Sequence, residues 1–118
     1  MGHGVLIVDD DPGFRRIART LLEARGLSVA GEAADGAQAR AACAEQRPTA
    51  LLLDVNLPDT NGPELARELI AEAPGLRILL TSTDPSVGPV DGIADFLPKT
   101  ELVGADLHQY LGGPDNHG

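Results

Sequence analysis

The chain has 118 residues, a formal charge of −9 and a single cysteine. That length supplies one core of ordinary size, without room for a second, separate output domain. The acidity repels nucleic-acid phosphates, so direct nucleic-acid binding is not expected, and one cysteine excludes both an intrachain disulfide and a paired-cysteine metal site.

With Phe14, Phe96 and Tyr110 as the only aromatics, the core has to be aliphatic. The first apolar run, Val5 to Val8, is far too short to span a bilayer, and no signal peptide precedes it; the cytoplasm is the expected location, with no membrane contact. The run's length and β-branching suit a strand buried on both faces, and it stops abruptly at Asp9, Asp10 and Asp11. Asp11 and Pro12 then form a helix start. Phe14, Ile17, Ala18, Leu21 and Leu22 follow at helical spacing, and Gly26 closes the helix.

A second strand is expected over Leu27 to Ala33. Asp35 and Gly36 open an Ala-rich helix that Pro48 terminates; Cys43 within it reads as a small, half-buried residue without a redox role. Ala50 to Leu53 is another short apolar run, again ending in an acid, Asp54. The segment Asn56 to Gly62 is dense in turn residues. Pro63 starts a third helix with Leu65, Leu69 and Ala73 on one face. Ile78 to Leu80 is a fourth strand, followed by Thr81, Ser82 and Thr83.

Between Asp84 and Ile93 the pattern fails. Pro89 would remove a donor and clash inside a helix, at about 3 kcal/mol, and each glycine there adds up to about 1 kcal/mol. A loop, or at most one helical turn, is expected. Ala94 to Leu97 can form a short fifth strand. Thr100 caps a last helix with Val103, Leu107, Tyr110 and Leu111 on its buried face, and residues 112–118 form a flexible C-terminal tail.

Alternating strands and helices imply a parallel sheet covered on both faces, in which ligands sit at the carboxyl ends of the strands. Asp9, Asp10, Asp54, Ser82 and Lys99 all fall at or just after such ends and therefore share one edge. Gathered carboxylates repel one another unless a cation neutralises them, and a hard divalent ion with oxygen ligands, such as Mg²⁺, does this. A carboxylate can also act as a nucleophile toward phosphorus. Lys99 is the only lysine beside eight arginines, a choice that suits a site needing a compact ammonium.

The ordered segments Val5–Pro12, Leu51–Gly62, Ile78–Ser82 and Phe96–Lys99 resemble the motifs of bacterial response-regulator receiver domains, over nearly the whole chain. The resemblance implies a flavodoxin-like, doubly wound five-stranded parallel sheet of order 2-1-3-4-5 over residues 4–111, with the fourth helix shortened or absent. It implies Asp54 as phosphoacceptor, and Mg²⁺ held by Asp9, Asp10, Asp54 and the backbone carbonyl of Asn56. Ser82 would be the hydroxyl that closes on the phosphoryl group, 28 residues after Asp54 (82 − 54), with Thr81 as runner-up. Lys99 would pair with the phosphate, and Phe96 would be the aromatic switch.

The implied function is a phosphoacceptor in a two-component phosphorelay, loaded by a sensor histidine kinase or phosphotransfer protein and read by an unidentified downstream protein. It is a signalling domain rather than an enzyme with turnover. Ser82 to Lys99 spans only 17 residues (99 − 82), fewer than in most of the family, which favours an alternative: a pseudo-receiver that binds protein without phosphorylation. A dehalogenase-like phosphatase would need an acid two residues after the nucleophile, where this chain has Asn56.

Overall fold

The computed structural model describes residues 4–84, 87–90 and 92–112. Five strands, β1 (Val5–Val8), β2 (Val29–Ala33), β3 (Ala50–Asp54), β4 (Arg77–Ser82) and β5 (Asp95–Pro98), alternate with helices α1 (Pro12–Ala24), α2 (Gly36–Gln46), α3 (Gly62–Glu72) and α4 (Leu107–Leu111). The sheet is parallel throughout, in the order β2-β1-β3-β4-β5, the flavodoxin-like arrangement expected.

The central strands β1 and β3 are buried along their whole length, which is why they read as unbroken apolar runs rather than as alternation. Their alternate residues feed two cores. Leu6, Val8, Leu51, Leu53, Ile78 and Leu80 meet Ala39 of α2 and Leu65, Ala66 and Leu69 of α3. Val5, Ile7, Ala50, Leu52 and Leu79 meet Ala18 and Leu22 of α1 and Leu107 and Leu111 of α4. Each fully buried leucine stabilises the fold by about 1.5–3 kcal/mol, so an aliphatic core suffices.

The helix starts obey local chemistry. Asp11 accepts from the Gly13 amide at 2.9 Å ahead of Pro12, Asp35 from Gln38 at 2.8 Å, and Asn61 from Glu64 at 2.9 Å; each satisfies an amide that the helix itself leaves unpaired. Gly26, at φ 82°, takes the left-handed conformation that follows α1. Cys43 is half-buried, and burial pushes its thiol up.

Three expected faces are corrected. Ile17 is 63% exposed: the buried arc of α1 centres on Ala18 and Leu22, and Ile17 falls beyond its rim. Ala73 is exposed because α3 ends at Glu72 and Ala73 is only its C-cap. The last helix does not start at Thr100. Lys99–Glu101 form a single tight turn, Val103 is 67% exposed, and Leu102 takes the buried place expected of it. Gly104 lowers helix propensity there, and regular helix resumes only at Leu107. The Arg25 guanidinium donates to the Ala105 carbonyl at 2.7 Å and to that of Val103, fastening this irregular segment to the end of α1.

Between β4 and β5 the described residues contain no helix, as the prolines and glycines require. Val90 instead bridges to Ala94, its amide 2.9 Å from the Ala94 carbonyl, and Val90 and Ile93 pack onto the core. Residues 85, 86 and 91 of this segment, and 113–118 of the expected tail, lie outside the described residues. Among those described, no helix is long and apolar enough to cross a membrane.

Candidate functional site

The carboxyl ends of β1, β3, β4 and β5 deliver the polar residues to one edge. Asp9 follows β1 directly, Asp54 is the last residue of β3, Thr81 and Ser82 end β4, and Lys99 follows Pro98 of β5. Asp9 and Asp54 are 1% and 7% exposed, whereas Asp10 is open to solvent. One carboxylate oxygen from each of Asp9, Asp10 and Asp54 lies within 4.8 Å of the other two.

Lys99 bridges the two buried acids. Its Nζ is 2.7 Å from Asp9 Oδ2 and 3.8 Å from Asp54 Oδ2, and it sits 4.2 Å above the ring centre of Phe14 on α1. Asp9 Oδ1 accepts from the Asp11 amide at 2.9 Å, and the Asp9 carbonyl accepts from Arg15 at 2.6 Å. Asp9 Oδ2 has the ammonium at ion-pair distance but no aligned hydrogen bond among the described residues.

Asp54 Oδ1 accepts one long hydrogen bond, 3.3 Å, from the Asn56 amide. Burial, and next the charge of Asp9, push its carboxyl up to about 6; Lys99 and the Asn56 amide pull the other way, and Asp10 adds to the rise. One ammonium faces three carboxylates, so the edge carries excess negative charge around a cluster of oxygens. That donor set fits a small, hard divalent cation such as Mg²⁺.

The loop from β3 to α3 is closed on itself. Gly62 donates to the Val55 carbonyl at 2.7 Å, Leu57 to Thr60 at 3.2 Å, and Asn56 bridges to Asn61. A Cβ on Gly62 would lie 2.7 Å from the Asp54 carbonyl oxygen and 2.9 Å from Val55 Cα. The loop can therefore return this close to the end of β3 only with glycine there. Asp59 ties the loop to α2, accepting from the Gly36 and Ala37 amides at 2.8 and 3.1 Å, and the Gly36 amide foremost holds its carboxyl below the usual range.

Of the two candidate hydroxyls, register separates them. Asp54 is the cross-strand partner of Thr81, and register partners in a sheet project to the same face. Ser82 projects to the other face, and its Oγ accepts from the Asp84 amide at 2.9 Å. Thr81 Oγ1 is buried with no hydrogen-bond partner among the described residues. Asp9, Asp10, Asp54 and Lys99 are thus brought together as expected, while Thr81 stands where Ser82 was expected. Phe96 is half-buried on β5 against the cluster containing Leu80. Phe14 and Asp59 carried no signal beyond a helical apolar stripe and a turn.

The family model described as the response regulator receiver domain matches residues 5–108. Over 100 residues the chain is 39% identical to the probable transcriptional regulatory protein TcrX of Mycobacterium tuberculosis, covering 80% of this chain and 42% of that protein. Over 115 residues it is 34% identical to protein-glutamate methylesterase/protein-glutamine glutaminase 2 of Caulobacter vibrioides, covering 89% and 33%. The chain therefore spans less than half the length of these curated relatives. A two-component response regulator of the LuxR family from Aurantimonas superposes with a TM-score of 0.77 at 28% identity, covering 89% of this chain and 79% of that one.

Proposed function

The chain belongs to the response regulator receiver domain family, and on that premise we propose that it accepts a phosphoryl group on Asp54 from a sensor histidine kinase or phosphotransfer protein. The observation that carries the proposal is the meeting of Asp9, Asp10 and Asp54 within 4.8 Å opposite a single ammonium. In the transfer an Asp54 carboxylate oxygen bonds to phosphorus, the phosphorus–nitrogen bond of the phosphohistidine breaks, and the imidazole leaves with the electron pair and is protonated.

Asp9, Asp10, Asp54 and the Asn56 carbonyl are the residues that would hold Mg²⁺. When bound, the ion supplies charge neutralisation between the nucleophile and the phosphoryl oxygens. Lys99 is placed to exchange its contact with Asp54 for one with a phosphoryl oxygen, as a point charge. We assign the hydroxyl that answers the phosphoryl group to Thr81 rather than Ser82, because Thr81 shares the face of Asp54 and has an unengaged donor. Phe96 is then the half-buried group on the adjacent strand able to follow a movement of β4. The module, residues 4–111, works in this reading as a cytoplasmic signalling domain rather than as a turnover enzyme. It acts on a downstream protein, and a charge of −9 keeps it off nucleic acid.

That the described residues between β4 and β5 form no helix favours the second reading, a pseudo-receiver that binds protein without phosphate, and one experiment separates the two. Acetyl phosphate with Mg²⁺ should add one phosphoryl mass to the wild type and none to Asp54→Ala. Thr81→Ala should slow the addition by about tenfold, in the range typical of one lost polar contact to a charged group, and Ser82→Ala should do so far less. Unphosphorylated wild type supports the pseudo-receiver; labelling of Asp54→Ala overturns the assignment of Asp54.

A further inference from the structure

We propose that Phe14 is a positioning residue for Lys99, its ring face holding the ammonium in place between Asp9 and Asp54. The inference rests on the reading of Asp54 as phosphoacceptor. Lys99 is the chain's only lysine, and its side chain is 16% exposed. Among the described residues its ammonium lies 2.7 Å from Asp9 Oδ2, 3.8 Å from Asp54 Oδ2 and 4.2 Å from the centre of the Phe14 ring.

The two acids do not fix the cation by themselves. Asp9 is the nearer, and the attraction falls with distance, so the pair alone draws the ammonium toward Asp9 and away from the group it has to serve. The negative face of an aromatic ring attracts an ammonium at this distance. It does so without neutralising it, so the charge stays available to a phosphoryl group. A third carboxylate in the same place would compete for that charge.

Phe14 owes its position to α1. It is the third residue of the helix, whose start is set by the Asp11 cap and Pro12. Its spacing to Ala18, Leu21 and Leu22 makes it part of the apolar stripe, but leucine or methionine would serve the stripe equally well. Only an aromatic at this position offers a face to Lys99.

Since Lys99 is unique, the full chain labelled selectively on lysine gives one set of side-chain NMR signals. The ring should shift the Lys99 ε-methylene protons upfield, an effect lost in Phe14→Leu and Phe14→Met and kept in Phe14→Tyr. With Mg²⁺ and acetyl phosphate, Phe14→Leu and Phe14→Met should phosphorylate about three- to tenfold more slowly, while Phe14→Tyr stays within about twofold of wild type. In a Lys99→Ala background, Phe14→Leu should cause no further loss. Thermal unfolding identifies any variant that fails to fold, and methionine and tyrosine are the pair compared if leucine does.

Equal rates for wild type, Phe14→Leu and Phe14→Met would overturn the inference. So would a loss in Phe14→Tyr as large as in Phe14→Met, or a further loss in the Lys99→Ala background. A wild type that takes no phosphoryl group fails the reading of Asp54 instead; the ε-methylene shift then decides on its own whether the ring holds Lys99.

Discussion

Replacing Asp54 with asparagine should make the metal-free protein more stable, and the gain should depend on pH in a defined way. The carboxyl is pushed from 3.8 up to about 6, first by burial and then by Asp9. A shift of about two pH units at ~1.4 kcal/mol each corresponds to ~3 kcal/mol of disfavour toward the ionised folded form. The sign follows from the raised value. Below about pH 3 the group is protonated in both folded and unfolded chains and no penalty exists. As pH rises through about 6 the folded protein has to carry the buried charge, and the stability is lost. Asparagine keeps the size and can still accept from the Asn56 amide. In EDTA, urea unfolding of wild type and Asp54→Asn should coincide near pH 3 and separate by ~3 kcal/mol above pH ~6.5. That is a large part of the 5–15 kcal/mol typical of a domain. Adding Mg²⁺ should narrow the gap, because the ion binds only the folded wild-type cluster tightly. A gap that does not vary with pH, or a wild type that is the more stable protein above pH ~6.5, would refute the account of the buried charge.

Asp10→Ala should weaken Mg²⁺ binding more than Asp9→Ala in calorimetric titration, because Asp9 is already engaged by Lys99 and by the Asp11 amide; equal losses would mean that the two acids share the ion evenly. Gly62→Ala should destabilise the fold by ~1–3 kcal/mol in urea unfolding. The atoms its Cβ would meet, the Asp54 carbonyl oxygen and Val55 Cα, are backbone, and an unchanged midpoint would show that the loop can retreat.

Much of this architecture was legible before any coordinates. Strands buried on both faces announce themselves as short apolar runs, and Val5–Val8 and Ala50–Leu53 could hardly be anything else. Acids placed directly after such runs reach the strand ends together, which is why the gathering of Asp9, Asp10 and Asp54 is legible in the sequence. Pro89 and Gly92 likewise ruled out a helix where none is present among the described residues. The choice between Thr81 and Ser82 was harder. Both are small hydroxyl residues, and a single step of strand register decides which shares the face of Asp54; counting residues from Asp54 does not contain that register. The start of the last helix is hidden from the sequence for a related reason. Val103 matched the helical spacing, but the chain first makes the turn at Lys99–Glu101 and is held by Arg25 from residues far away in sequence. Local pattern carries no record of such a tether.

The segment between β4 and β5 also bears on how the sheet ends. In a doubly wound sheet, flanking helices normally screen the outermost strand. Here the described residues between β4 and β5 form no helix, and β5 stands at the rim, paired among the described residues with β4 alone. Such a rim invites a foreign strand to extend the sheet. Three features discourage it: the strand is four residues long, Asp95 holds a charge in solvent at its start, and Pro98 at its end has no amide hydrogen to donate. Among the described residues the approach to β5 offers no helical surface, yet the strand itself makes a poor template for aggregation.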